Sequence, residues 1–145
     1  MTAVTALEIE TQHKFIGTWK LTDAEGEGPL MQRLGDNPIG MLIYDGHGHM
    51  AVQMMNKDRA KLPLTSDGDF EFALRGYMGY FGSYELNLDE KIVSHHIVGS
   101  IQPGDVGLEF RRRYEFVDDQ LILTTLGSIG GEELAARLVW ERWRD

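Results

Sequence analysis

From residue 15 onward the apolar residues recur mostly at every second position, the period of a strand with one face buried. This alternation predicts eight strands, at about 15–23, 40–45, 49–55, 82–88, 91–101, 107–117, 120–127 and 133–143. Asp45-Gly46-His47-Gly48, Asp89-Glu90, Asp118-Asp119 and Gly130-Gly131 each separate two extended runs with residues that tolerate positive φ, as hairpins require. Ahead of the first strand, Thr5-x-x-Glu8 has capping-box spacing and predicts one or two helical turns over 5–13. Two connections are longer. Residues 24–39, with Gly26, Gly28, Pro29, Gly35 and Pro38, read as a loop. Residues 56–67 read as a polar connection entering a helix near 69–80, where Phe70, Leu74, Tyr77 and Phe81 have the spacing of a lid or plug.

Eight short antiparallel strands joined mostly by local hairpins must hide their edges, and an up-and-down barrel does so with room for one small ligand. The expected fold is therefore all-β: an eight-stranded barrel with a short N-terminal helix and one helix at 69–80, a single domain over residues 1–145. The 145 residues carry Lys+Arg 14 against Asp+Glu 23, a net charge of −9, which argues against nucleic acid or an anionic membrane as partner. The chain has no Cys, so a thiolate nucleophile and any Cys-ligated metal or cluster are excluded. The first residues lack a basic segment followed by an apolar one, and no apolar run approaches the ~20 residues of a membrane span; a cytoplasmic location is expected.

Phe15-Ile16-Gly17-Thr18-Trp19-Lys20-Leu21 resembles the Gly-x-Trp opening of lipocalins and fatty-acid-binding proteins. Together with Gly40-Met41-Leu42-Ile43-Tyr44, Gly48-His49-Met50, Tyr80-Phe81-Gly82-Ser83-Tyr84, His95-His96-x-x-Gly99-Ser100 and Leu138-Val139-Trp140-Glu141-Arg142, it makes the chain similar, over 15–143, to the cytoplasmic lipocalin-like domain family of bacteria and fungi. The resemblance implies a calycin-type barrel with an internal pocket and no particular reaction. The Thr-Asp-Tyr motif of secreted lipocalins is absent, so a secreted-carrier role is not implied. Trp19 and Arg142 match the family's tryptophan packed beneath an arginine, a cation–π plug at one end.

Hairpin arithmetic assigns the faces. A two-residue loop at Asp89-Glu90 sets Leu88 opposite Lys91, Leu86 opposite Val93 and Tyr84 opposite His95, and turns this more apolar face inward with Ile97, leaving His96 outside. Around Asp118-Asp119, Phe116 opposes Leu121 and Tyr114 opposes Leu123, so Arg112, Phe110 and Leu108 continue inward while Arg111, Arg113 and Glu115 point out. Leu134, Ala136, Leu138, Trp140 and Arg142 share a face of the last strand, as Phe15, Gly17, Trp19 and Leu21 do of the first. In the second hairpin Met41, Ile43, Met50, Val52 and Met54 form one apolar face and Leu42, Tyr44, Ala51 and Met55 the other; Met50, Val52 and Met54 are expected inward.

The result is a small-molecule pocket walled by Phe110, Phe116, Leu86, Leu121, Met54 and Trp140, with Tyr84, His95, Arg112 and Tyr114 as its polar groups. A buried arginine requires a carboxylate, a carbonyl or water, so Arg112 is suited to orienting an anionic or carbonyl-bearing ligand. His95 is the one inward group that titrates near neutrality, and Tyr84 opposite it is placed to hold its tautomer or donate to a developing enolate. A core histidine satisfied by its neighbours is the competing explanation. His47, His49, His95 and His96 lack a carboxylate at ligand spacing, so no metal is expected, and neither glycine-rich stretch matches a phosphate loop. No cofactor is implied. The sequence thus favours a cofactor-free acid–base enzyme, of isomerase, cyclase or lyase type with His95 and Tyr84 catalytic, on a small hydrophobic carbonyl compound; the alternative is a non-catalytic binder of the same ligand. A homodimer is compatible with either.

Overall fold

In the computed structural model, residues 5–59, 76–126, 128–129, 132–133 and 135–144 are described. Helix α1 (Ala6–Phe15) starts where Thr5 accepts a hydrogen bond from the Glu8 amide at 3.1 Å, as the capping spacing predicts. Strand β1 (Gly17–Glu27), helix α2 (Pro29–Leu34), and strands β2 (Pro38–Tyr44), β3 (His49–Asn56), β4 (Tyr77–Asn87), β5 (Ile92–Ser100), β6 (Glu109–Val117) and β7 (Gln120–Thr125) follow. The short strands β8 (Ser128–Ile129) and β9 (Glu132–Glu133) pair with each other before β10 (Ala135–Arg142). Eight strands close on themselves in the order β1-β10-β7-β6-β5-β4-β3-β2, every pair antiparallel, so no main strand is left with an unpaired edge. This is the up-and-down barrel that the alternation predicts.

The interior follows from register. Tyr84 lies opposite His95, Phe116 opposite Leu121 and Tyr114 opposite Leu123, as the hairpin arithmetic gives. Phe110, Arg112 and Tyr114 are buried while Glu109, Arg111, Arg113 and Glu115 are exposed. Met50, Val52 and Met54 face inward, as expected. A bulge does occur in the β4–β5 pair, at Val98, beyond His95, and leaves the histidine's register intact. There the chain tolerates no side chain at Gly82: a Cβ would stand 1.8 Å from the His96 carbonyl oxygen.

One end of the barrel is plugged by the last residue of α1. Phe15 is fully buried, with its ring edge-to-face on Tyr44, Tyr114 and Phe116 at 5.0–5.2 Å. Trp19 donates to the Phe15 carbonyl, and the Arg142 guanidinium lies 4.0 Å from the Trp19 ring while donating to the Ile16 and Lys14 carbonyls at 2.6 Å each. Gly17 explains itself here. Its φ is +138°, and a Cβ would meet Arg142 at 2.6 Å, so the glycine of the Gly-x-Trp motif makes room for the arginine on the tryptophan. At the opposite end Leu34 of α2 is fully buried and Leu30 packs against the core.

Several expectations need correction. Residues 24–39 are not one loop: β1 continues to Glu27 and α2 fills 29–34, because Pro29 stands in the first turn of a helix and Gly35, at φ +74°, terminates it. The helix expected at 69–80 falls largely on residues outside the described ones, but its last part is strand, since β4 begins at Tyr77. Phe15 is buried as the end of a helix, not as part of the first strand. Leu108 is exposed rather than inward, because Gly107 at φ +90° ends a turn there and β6 starts at Glu109. In the second hairpin the Asp45 amide bonds the His49 carbonyl, so Tyr44 pairs with Met50 and Leu42 with Val52; Leu42 and Tyr44 go inward with the methionines, and Met41 and Ile43 are the exposed ones.

Candidate functional site

Among the described residues, the buried polar side chains are His95, Arg112 and Thr125. Of these, Thr125 is absorbed by the wall, accepting from the Ala136 amide at 3.0 Å. His95 sits mid-strand in β5 and is 2% exposed. Its Nε2 is 2.6 Å from the Tyr44 hydroxyl and its Nδ1 is 2.6 Å from the Tyr80 hydroxyl, so both ring nitrogens are engaged by tyrosines from β2 and β4. Burial, reinforced by the positive charge of Arg112, pushes the imidazole's pKa well below 6.5, and the ring is neutral at pH 7. Burial raises the Tyr80 hydroxyl and raises Tyr44 well above 10, each opposed by Arg112. All three groups of this Tyr44–His95–Tyr80 chain are therefore uncharged at neutral pH.

Arg112 is 8% exposed. Its guanidinium lies 5.1 Å from the centre of the Phe110 ring, and the Tyr80 ring packs edge-to-face on the same Phe110 at 5.4 Å. One guanidinium nitrogen donates to the Arg111 carbonyl at 3.1 Å, and the guanidinium also hydrogen-bonds the Tyr80 hydroxyl. Among the described residues no carboxylate forms an ion pair with Arg112. A guanidinium has five N–H donors, so most of this one's capacity is uncommitted in a place where an unanswered charge is costly. A second donor lacks a partner elsewhere in the core: the indole N–H of Trp140, in a side chain 1% exposed, has no acceptor among the described residues.

The expected site residues divide between two neighbourhoods. His95, Arg112 and Phe110 come together, joined by Tyr80, and Met54 and Trp140 are buried in the same core cluster. Tyr84, Tyr114 and Phe116 instead gather toward the α1 end, the latter two directly on Phe15 and Tyr84 through Tyr44, with Leu86 partly buried against the core. Tyr84 lies opposite His95 in the ladder but its hydroxyl donates to the Asp45 carbonyl at 2.9 Å. The partners that hold the imidazole are Tyr44 and Tyr80, which sequence reasoning missed. Tyr80 was discoverable: Tyr80, Gly82 and Tyr84 alternate without interruption, which fits a strand better than the end of a helix. His96 faces outward, 3.8 Å from Glu85. Among the described residues no group of three or more His, Cys, Asp or Glu could hold a metal ion.

A family model described as a lipocalin-like domain matches residues 16–143. The chain belongs to the lipocalin-like domain family. The match covers the closed barrel with its Gly17-Thr18-Trp19 opening and the Arg142 guanidinium stacked on Trp19. Among solved structures, the chain is similar to a crystal structure of a variant of the fluorescent protein UnaG, with 18% identity, a TM-score of 0.45, and coverage of 90% of this chain and 96% of that one. No curated protein matches the chain. No described helix of this lipocalin-like protein is long and apolar enough to cross a membrane.

Proposed function

We propose that this lipocalin-like barrel is a cytoplasmic binding protein for a small, largely apolar molecule that carries a carboxylate or carbonyl oxygen, held inside the barrel by Arg112. The observation that carries this reading is the buried guanidinium whose acceptors are neutral, the Arg111 carbonyl and the Tyr80 hydroxyl, with no carboxylate partner among the described residues. An oxyanion supplies the missing acceptors, and the aromatic and methionine wall around Phe110, Tyr80 and Met54 suits an apolar body. Titration with anilinonaphthalene sulfonate, an apolar fluorescent anion, tests it. Arg112→Met should weaken binding roughly 10- to 100-fold, the worth of a hydrogen bond to a charged group. Dye adsorbed on the exposed outer residues Phe81 and Val98 would be indifferent to Arg112, so unchanged affinity in the variant refutes the reading.

The Tyr44–His95–Tyr80 chain favours a second reading, in which the same ligand is turned over by cofactor-free acid–base chemistry of isomerase, cyclase or lyase type. In that case Tyr80, not Tyr84, is the partner of His95, and the histidine acts through a tyrosine because both its nitrogens are occupied. A ligand recovered chemically unchanged after prolonged incubation with the protein excludes this second reading and leaves the first.

A further inference from the structure

The hydrogen atoms of the Tyr44–His95–Tyr80 chain do not balance its contacts. A neutral imidazole brings one N–H and two phenols bring one O–H each, three hydrogens in all, while the chain has two contacts to fill. One tyrosine must therefore donate to the imidazole, the other must accept from it, and the accepting tyrosine keeps a spare O–H.

The surroundings decide which. Tyr44 is 1% exposed, and its ring is boxed by Phe15 and Tyr84. Beyond His95 its hydroxyl has no acceptor among the described residues, so a spare proton there would be a buried unsatisfied donor. Tyr80 packs against Phe110, and its hydroxyl oxygen accepts from the Arg112 guanidinium, which keeps further N–H donors to spare; an O–H left on Tyr80 therefore lies beside those donors. Resting on the reading that an oxyanion occupies this place, we infer that the protons run one way: Tyr44 donates to His95 Nε2, His95 Nδ1–H donates to Tyr80, and the Tyr80 O–H is presented to the ligand oxygen that Arg112 holds. Tyr80 is thus a specificity-determining residue, and the site offers its ligand donors alone: the spare N–H groups of a guanidinium and the O–H of a phenol. Such a set selects carboxylates, enolates and phenolates and rejects amines. The raised pKa of Tyr44 and the lowered pKa of His95 agree with the count, because they keep both groups neutral.

Two measurements test this. The nitrogen-15 spectrum of the imidazoles in the wild-type protein, with His95 assigned by loss of its signal in His95→Gln, should show the proton on Nδ1; a proton on Nε2 overturns the inference. Tyr80→Phe should weaken anilinonaphthalene sulfonate binding about tenfold or more, yet leave its sulfonate-free analogue phenylnaphthylamine within about twofold. Equal loss for both dyes means that Tyr80 merely shapes the wall, and also overturns it. Wild-type protein that binds neither dye sinks the binding reading instead, a result told apart from a wrong proton order because the imidazole spectrum needs no ligand.

Discussion

Acidification should unfold this barrel through His95, and the size of the effect follows from its burial. Between pH 7.5 and 5 an unfolded histidine with an ordinary pKa near 6.5 takes up a proton, whereas the folded imidazole, 2% exposed and pushed well below 6.5, does not. The unfolded state then binds more protons, so stability falls as pH falls, with a slope approaching about 1.4 kcal/mol per pH unit below pH 6. Integrated from neutrality to pH 5, one such histidine contributes at most about 2 kcal/mol of destabilisation. Protonation would also set an imidazolium near the buried Arg112 guanidinium, whose charge adds to burial in holding the value low.

Urea unfolding followed by tryptophan fluorescence, at four pH values from 7.5 to 5 on the wild type and His95→Gln, isolates this contribution. The variant starts less stable because two tyrosines lose their partner, but its stability should decline more shallowly, so the two curves converge toward pH 5 by up to about 2 kcal/mol. Other shifted groups cancel in the comparison. Asp45, held low by the amides of His47 and His49, loses its favourable contribution only as pH drops below the ordinary carboxylate range, outside this window. Parallel curves would show that His95 takes up a proton in the folded state as easily as in the unfolded one, and would refute the reasoning from burial.

Three further outcomes are expected. Gly82→Ala should cost about 3 kcal/mol or more, because its Cβ would stand 1.8 Å from a backbone oxygen and the β4–β5 pair would have to part; a variant with wild-type urea midpoint would show that the bulge adjusts freely. Arg142→Ala removes two carbonyl contacts and the stack on Trp19, for a loss of about 2–4 kcal/mol seen as a lower Tm in a thermal melt; an unchanged Tm would leave the plug without a stabilising role. Thr5→Ala should cost about 1 kcal/mol of stability in the same assay through loss of the α1 cap, and no loss would mean that the helix end is frayed in solution.

What was legible in the sequence is what local rules determine. The Asp118-Asp119 hairpin closes on Val117 and Gln120 with Asp118 at φ +55°, so counting outward from the turn gave the facing of Phe110, Arg112 and Tyr114 correctly. The Asp89-Glu90 turn is wider than two residues, with Lys91 at φ +56°, but it is symmetric about the same point and the register survived. The second hairpin broke the method because a turn of Asp45 to Gly48 can close with either three or four loop residues, and the choice flips every side chain. The Asp45 amide to His49 carbonyl bond makes the choice, and no pattern of apolar residues reveals it when both faces are apolar. Tyr44 was lost to that ambiguity. Tyr80 was lost to another, since Phe70, Leu74, Tyr77 and Phe81 have helical spacing while Tyr80, Gly82 and Tyr84 have strand spacing, and β4 follows the second.

The two missed tyrosines also bear on what chemistry the interior can do. Abstracting a proton from a ligand needs a base, and the neutral imidazole has its one lone pair aimed at a tyrosine rather than at free space. A tyrosinate could serve, but burial raises both Tyr44 and Tyr80 above the usual phenol range, and the charge of Arg112 opposes that rise without being its largest influence. At neutral pH the cluster is therefore poor at removing protons and well equipped to stabilise negative charge on an oxygen. If the protein does turn its ligand over, the chain of donors fits a reaction whose transition state gathers charge on a carbonyl oxygen near Arg112, with the base supplied by the ligand itself or by water. The rate should then stay flat from pH 6 to 8, where none of the three groups changes its proton count, and a bell-shaped profile centred in that range would contradict this assignment.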